Sequence, residues 1–390
     1  VTVAVVDSGL EIAHEDLAAN VVPGGSWNFT NSTTDPTNTV DTTGDHGTSV
    51  AGLIAMARNT VGGIGVASEA RLKGFNYLST QTTANRIASL GGSSSNPTSN
   101  DVFIFNQSFG SYNTSDTVIS STVEAQYASG VTNLRAGKGA IYVKASGNGF
   151  NAYGTADCSA ANSLALSCDN SNFDPYNTIP YQIVAGAVDA FGSSSYYSTA
   201  GSSLWVSAPG GEYGFNASVA PGYLGVAYQP AMVTTDQSGC TNGYARNTAA
   251  SSTFNLGGAN NSGENAECNY TNTFNGTSSA TPVVSGVVAL MLEANPALTW
   301  RDVKYILAKT SVKAEPNLPA KFISLSNGSY EVVPAWKTNA TGFNYQNRYG
   351  FGVVDAKAAV DLARNYPLGQ LGAFANTGWI ASSNMRSEER

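Results

Sequence analysis

Three reactive side chains lie beside glycines in three short strings, and their order along the chain is Asp, His, Ser. Asp7 follows Val-Val and precedes Ser-Gly, His46 opens His-Gly-Thr-Ser-Val-Ala-Gly, and Ser278 lies within Asn-Gly-Thr-Ser-Ser-Ala-Thr-Pro. A serine hydroxyl is a weak nucleophile at its ordinary pKa, so it needs a base within hydrogen-bond reach and a third group that orients the base. These residue types together predict hydrolysis through a covalent serine intermediate.

The base has few candidates, because the chain contains two histidines. His46 begins a predicted helix, whereas His14 lies in the polar stretch Glu-Ile-Ala-His-Glu-Asp, where we expect a solvated surface histidine. His14 also begins the zinc-protease pattern His-Glu-x-x-His, but Ala18 stands at the place of the second histidine and excludes that site. His46 is therefore the predicted base.

The elements that position these side chains are read from the apolar pattern. Predicted strands cover residues 1–6, 71–77, 102–106, 140–145, 181–188 and 204–208, and predicted helices cover 47–57, 116–135, 279–293, 300–309 and 355–365. This alternation predicts an α/β fold with a predominantly parallel sheet flanked by helices on both faces. The reactive groups are expected at the carboxyl ends of the strands.

Two local patterns refine the positions of polar groups. Asn148 follows a predicted strand and stands between Gly147 and Gly149, which suit a sharp turn at a strand end. The helix after Ser278 is apolar around its whole circumference, which predicts a buried central helix. We expect Pro282 in its first turn, where a missing N–H has no cost.

Composition and charge exclude several classes of protein. The chain has 390 residues, is 42% hydrophobic and only 12% charged, and is typical of a compact, loop-rich secreted protein. A net charge of −8 without a Lys/Arg cluster argues against a nucleic-acid partner. No apolar run reaches the roughly 18 residues that a membrane helix needs. We therefore expect neither nucleic acid nor membrane as a partner.

The cysteines stand at positions 158, 168, 240 and 268, and they allow three pairings. No Cys-x-x-Cys pattern occurs and no histidine is near, which disfavours a zinc cluster. We favour Cys158–Cys168 and Cys240–Cys268, because each pair closes a loop rich in Gly, Ser or Asn. Free thiols in a reducing cytosol are the alternative.

The ends of the chain predict its domain organisation. The sequence opens on an apolar strand without a signal peptide, so we expect that an upstream segment has been removed from a precursor. Residues 1–366 form one predicted domain, and residues 367–390 form a linker or C-terminal tail. Residues 211–231 and 240–268 lack periodicity and are expected to be surface loops.

The three strings resemble those of the subtilisin-like serine proteases. Two longer segments resemble the kexin and proprotein-convertase branch: residues 130–149 resemble the segment that leads to the oxyanion asparagine, and residues 292–303 resemble the segment after the serine helix. The resemblance covers nearly all of residues 1–366. It implies a subtilisin-like catalytic domain.

The resemblance implies a role for each matching residue. Asp7 would orient and stabilise the imidazolium, His46 would move the proton, and Ser278 would attack the peptide carbonyl. Asn148 matches the oxyanion residue, whose side-chain amide acts together with the backbone N–H of Ser278.

Substrate binding follows from the same resemblance. Ser108, Phe109 and Gly110 resemble the strand edge that pairs with an extended substrate. Asp174 resembles the aspartate that receives Arg or Lys before the scissile bond. The acidic residues that accompany dibasic specificity are partly missing: Ser8 stands at one of their positions, and the acidic pair before His46 is represented only by Asp41 and Asp45, out of register. We therefore expect one dominant basic preference.

A structural calcium ion is the implied cofactor. The matching positions are the side chains of Asp16 and Asn59 and the carbonyls of Ala57, Val61 and Gly63. Oxygen-rich, glycine-shaped loops suit a hard cation of this kind. A second calcium site near position 169 is expected to be incomplete, because a threonine stands at position 199 where the family has an acidic residue.

Together these inferences predict a secreted, monomeric serine endopeptidase that acts on polypeptides and is made with an inhibitory propeptide. The alternative is a catalytically silent relative that uses the same groove only to bind peptides. A lipase or esterase is disfavoured, because Ser278 lacks the Gly-x-Ser-x-Gly context and the order of the three residues differs.

Overall fold

A parallel sheet of six strands forms the centre of the computed structural model, which describes residues 1–38, 45–111, 118–152, 157–214, 228–248, 252–257 and 263–375. The strands of the sheet are β1 Thr2–Val6, β2 Arg71–Phe75, β3 Ile104–Gln107, β4 Ile141–Ala145, β5 Gln182–Val188 and β6 Val206–Pro209. Their spatial order is β2-β1-β3-β4-β5-β6. Each strand overlaps a predicted strand, and the α/β prediction is confirmed.

Helices connect and cover these strands. The helices are α1 His46–Ala55, α2 Thr83–Ser89, α3 Ser121–Asn133, α4 Ser159–Ser163, α5 Thr277–Ala294, α6 Trp300–Thr310 and α7 Ala356–Arg364. Because β1 leads outward to β2 while β3 leads to β4 in the opposite direction, right-handed crossovers put α1 and α3 on opposite faces of the sheet. The third helix ends earlier than predicted, since Arg135 and Ala136 adopt left-handed backbone angles.

Smaller antiparallel pairs lie outside the main sheet. They are β7 Met232–Thr235 with β8 Tyr270–Phe274, β9 Lys321–Leu325 with β10 Gly328–Val333, and β11 Lys337–Thr338 with β12 Asn344–Tyr345. The apolar pattern of the sequence does not predict these three pairs, because their strands are short and only partly buried. The β7–β8 pair matters for the site, because β8 leads directly into α5.

The helix α5 is the central helix that the sequence predicts. It packs across β3, β4, β5 and β6 and against α1. Its 18 residues are long and apolar enough to cross a membrane by length and composition, but 83% of this stretch is buried inside the fold. Burial of that extent is typical of a core helix, and its rigidity fixes the position of whatever its first turn carries.

The order of strands reverses between β1 and β3, and ligands bind beyond the carboxyl ends of strands at such a point. Asp7 follows β1, Ser108 follows β3, and Asn148 lies shortly after β4. Parallel strands therefore bring these three residues to one edge of the sheet.

Both predicted disulfides are present. Cys158 and Cys168 have Cα atoms 5.3 Å apart, and Cys240 and Cys268 have Cα atoms 5.1 Å apart. At the C-terminal end, Arg301 donates hydrogen bonds to the carbonyls of residues 371 and 372. Most of the predicted loop 211–231 and the tail beyond residue 375 lie outside the described residues.

Candidate active site

Asp7 and His46 meet where β1 ends and α1 begins. The Nδ1 atom of His46 lies 2.8 Å from Oδ1 of Asp7, and the aspartate side chain is fully buried. The same oxygen accepts the backbone N–H of Ser8 at 2.7 Å. This contact fixes the orientation of the imidazole through Nδ1 and leaves Nε2 for a reacting group.

The close approach of α1 to the Asp7 turn depends on Gly47. A Cβ atom at this position would lie 2.0 Å from the carbonyl oxygen of Gly9 and 3.0 Å from Cβ of Asp7. On the other side, the His46 ring packs edge-on against Phe274, with ring centroids 5.3 Å apart. A glycine after the histidine is thus a steric requirement of the Asp7–His46 contact.

The charges around His46 favour its protonated form. Burial of the ring opposes protonation, but the charge and hydrogen bond of Asp7, together with the charge of Asp45, outweigh it and raise the pKa of His46. Asp45 caps α1, and its Oδ2 accepts the hydroxyl of Thr48 at 2.7 Å. Burial raises the pKa of Asp45 to about 6. Two carboxylates therefore act on one imidazole.

Ser278 lies in the first turn of α5, where it forms a reciprocal contact with Ser108. The Ser278 hydroxyl donates to the Ser108 carbonyl at 3.0 Å, and the Ser108 hydroxyl donates to the Ser278 carbonyl at 2.9 Å. The second bond replaces a helix bond, because Pro282 has no N–H for the carbonyl four residues earlier. Our expectation of Pro282 in the first turn is wrong: the helix begins at Thr277.

Asn148 lies next to Ser278 and is held by Thr277. Its Oδ1 accepts the backbone N–H of Thr277 at 2.8 Å and the Thr277 hydroxyl at 3.0 Å. The residue is exposed, and its Nδ2 donates no hydrogen bond within the described part of the chain. A free amide donor thus stands at the N-terminus of α5, where the helix dipole favours negative charge.

A cavity of about 120 Å³ opens beside Ser278. Residues 109–111 and 145–148 form two of its walls, and residues 169–171 with Asp174 contribute two carboxylates. A larger cavity of about 450 Å³ lies elsewhere, among Trp205, Trp300 and other aromatic side chains, and contains none of the candidate catalytic residues. The smaller cavity is the one that adjoins the reactive serine.

Asp174 is ion-paired within this cavity. The Nζ atom of Lys144 lies 2.7 Å from Asp174 Oδ2, and the two side chains are 1% and 5% exposed. The backbone N–H of Ser111 donates to the same oxygen at 2.9 Å, and that of Tyr176 donates to Oδ1 at 3.0 Å. Burial opposes ionisation of Asp174, but the Lys144 ammonium and these donors outweigh it and lower its pKa. The sequence reasoning missed Lys144, although a lysine inside the apolar strand β4 is a readable signal.

Asp169 is the second carboxylate of the cavity. Its Oδ1 accepts the backbone N–H of Asn170 at 2.7 Å, and no ion pair to it occurs among the described residues. Burial raises the pKa of Asp169 to about 6, and the charge of Asp174 adds to the increase. Thr199 lies nearby and accepts the N–H of Gly149 at 2.7 Å.

The segment from Ser108 to Gly110 runs along the rim of this cavity. Ser108 is buried, Phe109 is half-buried and Gly110 is exposed. The backbone N–H and carbonyl groups of Phe109 and Gly110 form no hydrogen bond within the described ranges. Unpaired groups at a strand end can bind an extended peptide.

The residues of the expected calcium site come together around Asp16, which is fully buried. Its Oδ1 accepts Nδ2 of Asn59 at 2.8 Å, its Oδ2 accepts the N–H of Gly63 at 3.1 Å, and its carbonyl accepts the N–H of Ala57 at 2.9 Å. Asn59 Oδ1 accepts the N–H of Val61 at 2.8 Å. The loop is therefore wrapped around one carboxylate.

The donor chemistry of this loop fits a hard cation. In the described ranges no three His, Cys, Asp or Glu side chains cluster as metal ligands, so a cation here would use amide and carbonyl oxygens besides Asp16. Calcium accepts such mixed oxygen ligands. The loop also packs closely against this carboxylate, since a Cβ atom at Gly62 would lie 2.4 Å from Asp16 Oδ2.

His14 is buried, so the expectation of a solvated surface histidine is wrong. Its Nε2 donates to the Asn269 carbonyl at 2.8 Å, and its Nδ1 accepts the N–H of Asp16 at 3.1 Å. The Tyr270 ring packs edge-on against it. Polar neighbours in sequence did not indicate solvent, because β8 covers this segment from far along the chain.

Comparison with known proteins places this site in a family. The profile of the Subtilase family matches residues 1–352. The extracellular serine protease of Aeromonas sobria is 40% identical over 95% of this chain and 59% of its own length, and kexin of Saccharomyces cerevisiae is 30% identical over 100% of this chain and 39% of its own length.

A solved structure of the Aeromonas sobria serine protease in complex with a chaperone superposes with a TM-score of 0.80, at 35% identity, over 94% of this chain and 60% of that one. The chain thus spans about three fifths of the Aeromonas protease and less of kexin. The chain belongs to the subtilase family and resembles its kexin-like members.

Proposed function

We propose that this protein is a serine endopeptidase that hydrolyses peptide bonds through an acyl-enzyme. The observation that carries the proposal is the 2.8 Å contact between His46 Nδ1 and buried Asp7 at the same sheet edge as Ser278. His46 Nε2 takes the proton of Ser278 as Oγ attacks the peptide carbonyl, and Asp7 stabilises the imidazolium. His46 then gives the proton to the leaving amine, and a water molecule hydrolyses the ester by the same steps.

The reaction requires the Ser278 hydroxyl to turn from the Ser108 carbonyl to His46. The Ser108 carbonyl is a neutral acceptor and His46 is a stronger base, so we propose that the hydroxyl changes partner when substrate binds. Catalytic hydrogen bonds commonly tighten only when substrate is bound. Ser108 keeps its own hydroxyl on the Ser278 carbonyl, which holds the backbone of the nucleophile during this rotation.

The negative oxygen of the tetrahedral intermediate would be bound by Asn148 Nδ2 and the backbone N–H of Ser278. Thr277 holds the other end of the amide, so the donor is positioned before the charge develops. Preorganised donors of this kind contribute more than donors that must reorient during reaction.

The substrate would bind as an extended strand along Ser108, Phe109 and Gly110, with the side chain before the scissile bond in the cavity beside Ser278. The cavity is lined by carboxylates at positions 169 and 174, of which only Asp174 is ion-paired to a lysine, and this excess of acidic groups supports a preference for Arg or Lys. The similarity to kexin supports the same preference.

We also propose that the loop around Asp16 binds a structural calcium ion. The ligands would be the side chains of Asp16 and Asn59 and the carbonyls of Ala57, Val61 and Gly63. Calcium would supply a charge that offsets the buried Asp16 carboxylate, whose pKa burial raises. Its role would be to stiffen the loop.

The cellular setting is inferred from the disulfides and the relatives. Two disulfides favour an oxidising compartment, and the Aeromonas sobria relative is named an extracellular protease. That protease forms a complex with a chaperone, which supports a protein partner such as the expected inhibitory propeptide. We propose a secreted monomer.

Labelling with a fluorophosphonate tests the proposed activity. We expect the wild type to be labelled and to cleave peptides, and Ser278→Ala to lose both. Ser326→Ala removes an exposed serine in the turn between β9 and β10 and should change neither. A folded wild-type chain that binds peptides but resists labelling would favour the silent relative instead.

A further inference from the structure

We propose that Asp169, and not Asp174, is the carboxylate that meets the basic side chain before the scissile bond, because Lys144 holds Asp174 in a buried ion pair. The assignment rests on the proposed endopeptidase function and names the residue that determines its specificity.

Three of the roughly four acceptor positions of the Asp174 carboxylate are already used, and one of them holds a cation. One of its oxygens accepts from Lys144 at 2.7 Å and from the Ser111 N–H at 2.9 Å, and the other accepts from the Tyr176 N–H at 3.0 Å. A substrate guanidinium that reached Asp174 would also face the Lys144 ammonium. Like charges in a buried site repel strongly, so this approach is unfavourable.

The Lys144 ammonium is as firmly held as its partner. It belongs to the fully buried strand β4, and its only other hydrogen bond in the described ranges goes to the Ala145 carbonyl at 3.3 Å. A Cβ atom on Gly110 would lie 3.1 Å from Asp174 Oδ2 and 3.4 Å from Lys144 Nζ. The ion pair therefore lies directly behind the backbone of the substrate-binding rim.

Both Asp169 and Asp174 line the cavity, but among the described residues only Asp174 has a cationic partner. Within the described residues its carboxylate has one hydrogen bond, from the Asn170 N–H to Oδ1, so Oδ2 is available. Oδ2 lies against the wall that carries Asn148, because Cβ atoms at Gly147 and Gly149 would be 3.8 Å and 3.0 Å from it.

The backbone around Asp169 is fixed, as a specificity residue requires. Its N–H donates to the Gly149 carbonyl at 2.9 Å, and the preceding residue Cys168 is bonded to Cys158. Cys168 itself donates its N–H to the Phe150 carbonyl at 2.8 Å. A carboxylate held in this way recognises a cation with little loss of side-chain freedom.

The charge balance of the cavity gives the same answer. Asp169 and Asp174 bring two carboxylates to the cavity lining, and Lys144 forms an ion pair with Asp174. The buried Arg86 acts electrostatically on Lys144, whereas no cation pairs with Asp169 among the described residues. An Arg or Lys side chain of the substrate would supply the cation that Asp169 lacks.

The test compares two peptides that differ only before the scissile bond, one with Arg and one with citrulline, which has the same shape but no charge. For the wild type we expect kcat/KM to favour Arg by about 10- to 100-fold, the effect of one charge-assisted hydrogen bond. In Asp169→Asn, and in Asp169→Ser as a second variant, this ratio should fall to about one. The ratio is independent of the fraction of folded enzyme.

The matched control removes the ion pair as a unit. Lys144→Met combined with Asp174→Asn leaves no unpaired buried charge, and we expect it to keep the wild-type ratio. A wild-type ratio that survives both Asp169 variants, or that is lost in the paired variant, would overturn the assignment alone. Equal cleavage of both peptides by the wild type would overturn the basic preference itself, and no cleavage of any peptide would overturn the proposed activity.

Discussion

At the reacting residues, the geometry links one imidazole to two carboxylates with different tasks. Asp7 forms the direct hydrogen bond to His46, whereas Asp45 caps α1 and acts on the ring through its charge. If His46 is the general base, as proposed, the reaction requires its neutral ring, and we expect activity to be lost as the pH falls through the raised pKa of His46. The charge of Asp45 is then expected to move this acidic limit upward.

Replacing Asp45 by asparagine tests this role. The amide still offers an oxygen to cap α1, but it removes a negative charge that stabilises the imidazolium, so the pKa of His46 should decrease. We expect the acidic limb of the kcat/KM profile to move to lower pH, with little change at pH 8. Asp361→Asn, which removes an exposed charge on α7, should leave the profile unchanged. A profile that moves to higher pH in Asp45→Asn would contradict the charge argument.

Replacing Asn148 by alanine tests the oxyanion donor. The change removes Nδ2, together with the Oδ1 that accepts from Thr277, and leaves the side chains of Asp7, His46 and Ser278 unaltered. We expect kcat to fall by about 100- to 1000-fold, the magnitude established for such a donor in a subtilisin, with KM nearly unchanged. Steady-state kinetics on one peptide checks this. A loss confined to KM would instead make Asn148 a substrate-binding residue.

Among the elements, α5 matters most for the proposed reaction, because its first turn carries Ser278, the proposed nucleophile. This turn is held by the Ser108 hydroxyl, which donates to the Ser278 carbonyl, and by Asn148 Oδ1, which accepts the Thr277 N–H. One layer deeper, the Ser285 hydroxyl donates to Asn106 of β3. The Ser108 bond exists because Pro282 removes the usual helix donor. A proline inside a helix ordinarily destabilises it. Here Pro282 leaves the Ser278 carbonyl free to accept from Ser108, and this bond connects α5 to the proposed substrate-binding rim.

A double-mutant cycle measures that link. Ser108→Ala leaves the Ser278 carbonyl without its donor, and we expect a loss of about 1–3 kcal/mol in the free energy of unfolding. In the double variant Ser108→Ala with Pro282→Ala, the new backbone N–H can reach the same carbonyl and should restore part of this loss. Urea unfolding of the variants and the wild type gives the coupling. Strictly additive losses would show that a backbone N–H at position 282 does not replace the Ser108 hydroxyl at the Ser278 carbonyl.

Over the whole molecule, the parallel sheet and its covering helices form a rigid frame, and the loops at one end carry the chemistry. The segment around Asp16 contacts two other parts of the chain at this end. The N–H of Ala57, just after α1, donates to the Asp16 carbonyl, and His14 donates to the Asn269 carbonyl just before β8. A cation bound there would stabilise the entire domain and not only its loop.

Removal of calcium tests this at the scale of the domain. Ligand binding to the folded state stabilises it by about 2.7 kcal/mol at 100 times Kd, so we expect EDTA to lower the Tm of the wild type by several degrees. Asp16→Asn should have a low Tm that EDTA no longer changes, whereas Asp361→Asn should respond as the wild type does. A wild-type Tm that is indifferent to EDTA would contradict the calcium site.

The sequence by itself determined the frame of this protein. Six buried strands, the core helix and both disulfide pairs were predictable, because apolar periodicity and loop composition are local signals. The strings around Asp7, His46 and Ser278 were readable for the same reason: glycines and caps next to a reactive group are visible within a few residues.

Only the tertiary structure decided which polar groups pair. Lys144 is 30 residues from Asp174, Ser108 is 170 from Ser278, and His14 is 255 from Asn269. No local pattern encodes these partners, because each pair forms only when the strands and helices bring segments that are distant in sequence close together in space. The free energy of a buried charge is set by its partner in space, and for that reason the fold, rather than the motif, points to Asp169 as the specificity residue.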